Sequence, residues 1–167
     1  MIRLAQPADA MAVARVHVRS WQVGYRDLLP PEYLAQLRPE DRAWKYEFSG
    51  ADPNAPRTIV GIIDGGIRGF ATVAPARDPN LPGYGELCAL YVDPDYWRRG
   101  LGKALLAASC AHLLESGIEH AMIWVLRGNT RALRFYQREG WMPDGAQRAA
   151  EVWGIKVNEV RYVRDLP

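Results

Sequence analysis

Tyr91-Val92-Asp93-Pro94-Asp95-Tyr96-Trp97-Arg98-Arg99-Gly100-Leu101-Gly102-Lys103 is the stretch on which the fold and the chemistry of this chain turn. It sets two glycines and three basic residues between a short apolar run, 86–92, and a long one, 100–116. The pattern predicts a strand stopped by Asp93-Pro94, then a well-buried helix with Gly117 in the place of a C-terminal cap. A helix N-terminus carries unpaired backbone N–H groups and the positive end of the helix dipole, so a phosphate fits there. Glycines at alternate positions let the backbone come close to the anion. A ligand bearing a pyrophosphate is the direct physical reading; the plainer one is a strand-to-helix turn whose glycines serve geometry alone.

What the stretch lacks narrows the ligand. A Walker A loop needs a glycine five residues before Gly102 and a Ser or Thr after Lys103, but Trp97 and Ala104 stand there. A dinucleotide fingerprint needs a third glycine where the chain has Leu105.

Working outward, Pro7 and Asp9 suit the first turn of a helix on which Met11, Ala14, Val18, Trp21 and Tyr25 form one apolar stripe. Pro30-Pro31 breaks the chain and starts a second short helix carrying Tyr33, Leu34 and Leu37, and Pro39 opens a third through Phe48. Runs 58–63 and 67–74 flank Asp64-Gly65-Gly66 as a hairpin, and 75–85, broken by prolines and glycines, is a loop. Downstream, 121–126 reads as a buried strand, Asn129 as the N-cap of a helix over 130–139 closed by Gly140, and 157–164 as a last strand. Strand and helix in alternation after a hairpin imply an α/β (α+β) chain with a mixed sheet and parallel pairing across the helix after Gly100.

Composition limits the classes of function. The 167 residues suit one domain, 1–167, and 49% apolar against 24% charged residues supports a packed core rather than disorder. No apolar run approaches the roughly 18 residues of a membrane span, and Met1-Ile2-Arg3-Leu4 lacks the regions of a signal peptide. A net charge of +2 with no basic cluster argues against a nucleic-acid partner. Cys88 and Cys110 are too few for a disulfide framework and sit among apolar neighbours. The expectation is a soluble cytoplasmic domain with no membrane or nucleic-acid partner. No metal is expected either: Cys110 and His112 face different ways on one helix. No Gly-x-Ser-x-Gly elbow is present.

The chain resembles the GNAT superfamily of N-acetyltransferases. The resemblance lies in Glu86-Leu87-Cys88-Ala89-Leu90-Tyr91-Val92, in the loop Arg98 to Lys103, in Asn129-Thr130-Arg131-Ala132-Leu133-Arg134-Phe135-Tyr136 and in Glu139-Gly140-Trp141. It extends to the order of elements over nearly the whole chain. It implies a mixed, mostly antiparallel sheet, flanked by helices, whose central strands splay apart to admit acetyl-CoA. The edge of Leu90, Tyr91 and Val92 would bond the pantetheine amides as a peptide strand would. A backbone N–H there would hold the thioester oxygen. Arg98, Arg99, Gly100, Leu101, Gly102 and Lys103 would hold the pyrophosphate. Trp97 departs from the Gln or Arg usual at the start of that loop, which puts one polar contact in doubt.

Further roles come from the same resemblance. Asn129, Ala132 and Tyr136 share a helix face and would contact the cofactor, with Tyr136 protonating the departing thiolate. Read from the residues alone, Asn129 is a plain N-cap and Tyr136 a core aromatic. Glu86 would be the base that takes the amine proton through water, against the plain reading of a solvated charge at a strand start; Glu159 and His120 are remoter candidates. His17 and His112 read as structural or surface residues. Trp21, Tyr25 and Tyr33 would shape the acceptor side, although Trp21 and Tyr25 also continue the apolar stripe. Trp141 and Trp153 suit a pocket or a dimer surface. The resulting expectation is transfer of acetyl from acetyl-CoA to a small-molecule amine or a peptide N-terminus, in a chain that the resemblance allows to be a homodimer. Three alternatives stand beside it: another acyl-CoA donor, a non-catalytic acyl-CoA-binding domain, and a different nucleotide site.

Overall fold

The computed structural model describes residues 1–50 and 52–167. Seven strands, β1 (Ile2–Leu4), β2 (Arg57–Ile63), β3 (Gly66–Pro75), β4 (Gly85–Val92), β5 (His120–Leu126), β6 (Met142–Val152) and β7 (Ile155–Asp165), form one sheet in the order β1-β2-β3-β4-β5-β7-β6. Among the described residues five helices accompany it: α1 (Ala10–Gly24), α2 (Pro31–Ala35), α3 (Pro39–Ala43), α4 (Leu101–Glu115) and α5 (Thr130–Arg138). Neighbouring strands run antiparallel except β4 and β5, which are parallel and joined through α4 as the strand–helix–strand pattern requires.

Successive side chains of a strand point to opposite faces, and here they sort the helices. Ile59 and Ala71 pack with Leu101, Leu105 and Leu106 of α4, whereas their neighbours Val60 and Phe70 pack with Val13 and Val16 of α1. The sheet is thus covered on both faces. On the α4 side the approach is close: a Cβ on Gly61 would lie 2.5 Å from Leu101 Cδ1, and one on Gly69 2.9 Å from Leu105 Cδ1. Leu105 is fully buried, so Leu105→Ala would cost about 2–5 kcal/mol. No helix among the described residues is long and apolar enough to cross a membrane.

Three elements differ from the sequence expectation. The edge strands β1, three residues long, and β6 are not expected from their residues. The third helix, expected through Phe48, ends at Ala43 because Tyr46 and Phe48 instead pack against the Val13, Val16 and Phe70 cluster. At the tip of the β6–β7 hairpin, Trp153 and Gly154 both take positive φ, 50° and 79°, a backbone that a bulky residue adopts only when packing holds it. The Trp153 ring packs against His17 and Trp21, and the Arg42 guanidinium lies 5.1 Å from its centre.

Candidate functional site

The parallel pair that the α4 crossover demands is the weak seam of the sheet. β4 and β5 are paired only at Gly85 with Ala121 and Glu86 with Met122, after which the strands diverge. A bulge in the β3–β4 register, with Thr72 opposite Ala89 but Val73 opposite Leu87, adds Cys88 to β4 at the point of divergence. The result is a cleft of about 960 Å³ between the two strands, lined by β4, β5, the loop before α4 and one face of α5.

At one end of the cleft, Asp93 caps a single 3-10 turn over Pro94–Tyr96 by accepting from Asp95 N at 3.0 Å. The chain then passes through two left-handed residues, Arg98 (φ 64°) and Gly100 (φ 83°), into α4. The first-turn N–H groups of α4 have no intrahelical partner, so loop and helix start form a concave, electropositive cradle for an anion. Arg98, Gly100, Gly102 and Lys103 line the cleft. The Leu101 side chain is buried among core residues, which leaves it only its N–H for a ligand. Arg99 lies outside the lining, its guanidinium 4.9 Å from the Tyr96 ring. Trp97 is tied down: its indole N–H donates to Val92 O at 2.8 Å, and the Arg131 guanidinium stacks 3.7 Å from its ring centre. Ser20 Oγ of α1 donates to the same carbonyl at 3.1 Å, so α1, β4 and the loop meet there.

Along the other wall, Asn129 caps α5 by accepting from Ala132 N at 3.3 Å. That bond leaves its amide NH₂ for a ligand. Asn129, Ala132 and Tyr136 all line the cleft. Tyr136 is buried, and its hydroxyl makes no hydrogen bond among the described residues. Burial, reinforced by the Tyr91 phenol, raises its pKa far above the ordinary phenol value. Burial does the same to Tyr25 and Tyr91, which line the cleft with it.

Glu86, at the last paired position of β4, lines the mouth of the cleft. The Cys88 thiol beside it, on a residue exposed to the cleft, is pushed up to about 12, first by desolvation and then by the Glu86 carboxylate. Leu90, Tyr91 and Val92 line the cleft beyond the bulge, and Trp21 and Tyr25 reach it from α1. Tyr33 stands apart, its hydroxyl donating to Trp153 O and so anchoring the β6–β7 hairpin. His120 also stands apart, bonded to Asp165 at 2.8 Å and stacked on Tyr84. Trp141 is a core residue packed on Tyr136.

Glu159, one of the two remoter candidates for the base, does line the cleft, its side chain 11% exposed. Two contacts have no signal in the sequence, and the first is the bond from Arg148 Nε to Glu159 at 2.9 Å. The two residues are direct cross-strand partners in β6 and β7. Arg131 stacks on Trp97 from another element, a contact with no local signal.

Comparison with known proteins points the same way as the geometry. The model described as the acetyltransferase (GNAT) family matches residues 18–141. YuaI of Bacillus subtilis (strain 168), an uncharacterized N-acetyltransferase, is 30% identical over 165 residues, covering 95% of this chain and 89% of its own. A mycothiol acetyltransferase of Salinispora arenicola (strain CNS-205) is 40% identical over 78 residues, 46% of this chain but only 25% of that longer protein. Among solved structures, the PaiA N-acetyltransferase of Thermoplasma acidophilum in complex with coenzyme A is similar with a TM-score of 0.73 at 19% identity, over 99% of this chain and 98% of that one. YncA of Salmonella typhimurium, solved with its cofactor acetyl-CoA, is similar with a TM-score of 0.72 at 16% identity, over 100% and 94% of the two chains. At these identities the structural likeness is one of fold.

Proposed function

The chain belongs to the acetyltransferase (GNAT) family, and from that premise we propose that it moves the acetyl group of acetyl-CoA to the amine of a small-molecule acceptor by direct attack in a ternary complex. The observation that carries the reading is the early end of β4–β5 pairing after Glu86. It leaves a strand edge facing a cleft that has an anion cradle at one end and Tyr136 in its wall.

Each residue has a task in this reading. The Arg98–Lys103 cradle holds the pyrophosphate, through backbone N–H groups and the charges of Arg98 and Lys103. The open edge of Leu90, Tyr91 and Val92 bonds the pantetheine amides, and one of its N–H groups faces the thioester oxygen. Acetyl-CoA supplies an activated acetyl group as a thioester. The amine arrives protonated and gives its proton through water to the Glu86 carboxylate, so that its nitrogen can attack the acetyl carbon. As the C–S bond breaks, the Tyr136 hydroxyl donates its proton to the thiolate, and the second proton of the attacking nitrogen passes through water to the Tyr136 oxygen. Its raised pKa keeps that proton on the oxygen at neutral pH. No covalent enzyme intermediate is needed, in keeping with a Cys88 thiol held protonated in the cleft.

The test is turnover: the purified protein, acetyl-CoA and a panel of amines, with released CoA thiol followed by a chromogenic disulfide and the acetylated product by mass. The expected result is thiol release dependent on both protein and amine. Binding of acetyl-CoA with no turnover across the panel would support a non-catalytic acyl-CoA-binding domain instead.

A further inference from the structure

The acceptor is the unassigned half of this reaction, and the residues around Glu86 constrain its chemistry. A recess of about 340 Å³, lined by Arg77, Asp78, Pro79, Glu86, Trp124 and Arg148, opens beside the cleft. Arg77, Glu86, Trp124 and Arg148 line both spaces, so a molecule held in the recess reaches the mouth of the cleft at Glu86.

The ion pairing here is uneven. Arg161 is paired with two carboxylates, with Nε on Asp144 Oδ2 at 2.7 Å and Nη1 on Asp78 Oδ2 at 2.8 Å, and it is 8% exposed. That pairing holds the Asp78 loop as a wall of the recess. Arg148 commits only Nε, to Glu159 at 2.9 Å, and lies with its guanidinium carbon 4.3 Å from the centre of the Trp124 ring. Both of its Nη groups make no hydrogen bond among the described residues. Arg77 and Glu86 form no salt bridge among the described residues. Both lie within Coulombic reach of the Cys88 thiol, Glu86 raising its pKa and Arg77 lowering it. Two arginines with free N–H groups and one free carboxylate therefore share a small space.

We propose that the acceptor is an amine that carries its own carboxylate, of the α-amino acid class. Arg77 and Arg148 bind the carboxylate and Glu86 receives the ammonium. The proposal rests on the acetyl-transfer reading above and names its substrate. The Arg148 guanidinium, its carbon 4.3 Å from the Trp124 ring centre and both Nη groups unpaired among the described residues, has the donors to bond a carboxylate through two hydrogen bonds. Arg77 and the two Nη groups of Arg148 are donors that an acceptor with positive charge alone, such as a polyamine, would leave unused. The transfer step is unchanged: the N–C bond forms and the thioester C–S bond breaks. One ammonium proton leaves through water towards Glu86 before attack, the thiolate takes its proton from Tyr136, and the second nitrogen proton returns through water to the Tyr136 oxygen.

The test compares amino acids with their own amides, such as phenylalanine with phenylalaninamide and methionine with methioninamide, with acetyl-CoA saturating. A charge-assisted carboxylate pair contributes enough to favour the acid by roughly tenfold or more in kcat/KM. Arg148→Gln and Arg77→Gln should each bring the ratio of acid to amide down towards one, with Arg148→Lys recovering part of it. Acetyl-CoA affinity, measured calorimetrically on each variant, reports that the cleft is still folded. Amides turned over as well as the acids, or a ratio unmoved in both Gln variants, would overturn the proposal and leave acetyl transfer intact. No turnover of either member of any pair also overturns it. Turnover of a polyamine or another carboxylate-free amine then tells whether acetyl transfer itself survives.

Discussion

His17 lies on α1 at 5% exposure, with Nδ1 2.8 Å from the Tyr46 hydroxyl, its ring stacked 4.8 Å from Tyr91 and tilted 44° to Trp153 at 4.6 Å. Burial first, and then the positive charge of Arg42, bring its pKa down to about 3. In the unfolded chain the imidazole takes up a proton as pH falls through about 6.5. The folded protein excludes that proton until about 3. Between these values the unfolded state binds more protons, so stability falls as pH falls. For one site of this kind the loss between pH 7.5 and 5 is about 2 kcal/mol, or roughly 4–8 °C in the thermal midpoint of a chain this size. His17→Gln removes the titration and leaves a side chain that can still bond the Tyr46 hydroxyl. Urea unfolding of both proteins at the two pH values isolates the effect. Wild type should lose about 2 kcal/mol more than the variant over that interval, with no change in m. An equal loss in the two proteins would refute the account of a neutral, desolvated His17 joining α1 to β4.

Three further outcomes concern the site. Tyr136→Phe should lower kcat by about 10²- to 10⁴-fold while acetyl-CoA affinity stays near wild type, as read by thiol release and calorimetry. Glu86→Gln should lower kcat with acetyl-CoA affinity unchanged if Glu86 takes the amine proton, and an unaltered kcat would leave it without that role. Gly102→Glu should abolish CoA binding in a folded protein. A Cβ there meets only Phe135 at 3.7 Å and Val92 at 3.8 Å, ordinary contacts, so lost binding would report the negative charge at the pyrophosphate and not misfolding.

The parts of the molecule legible in the sequence are those with a local physical signature. Asp93-Pro94, the paired glycines and the long apolar run placed β4, the cradle and α4 to within a residue or so. Asn129 and Gly140 likewise bounded α5. β1 is three residues long, too short for any periodicity to show. β6 contains Pro143, Gly145 and several alanines, and it is mostly exposed. It forms because β7 offers it a partner, not because its residues favour a strand. The turn that joins them, Trp153-Gly154, carries none of the Asn-Gly or Asp-Gly chemistry that marked Asp64-Gly65. In the site, the family resemblance singled out Glu86, Asn129 and Tyr136, and all three line one cleft. The Arg148–Glu159 pair was beyond reach, because it depends on a strand register that only the folded hairpin creates. Tyr33 carried an aromatic side chain in the right region, but its hydroxyl is used by the hairpin tip.

The most direct test of the central claim is calorimetric titration of the purified protein with acetyl-CoA, with ATP and NAD titrated separately. If the splayed strands and the cradle before α4 are a donor site, acetyl-CoA binds with micromolar affinity and the two other nucleotides do not compete for it. Equal binding of ATP, or no heat with any acyl-CoA, would contradict the assignment of the cleft.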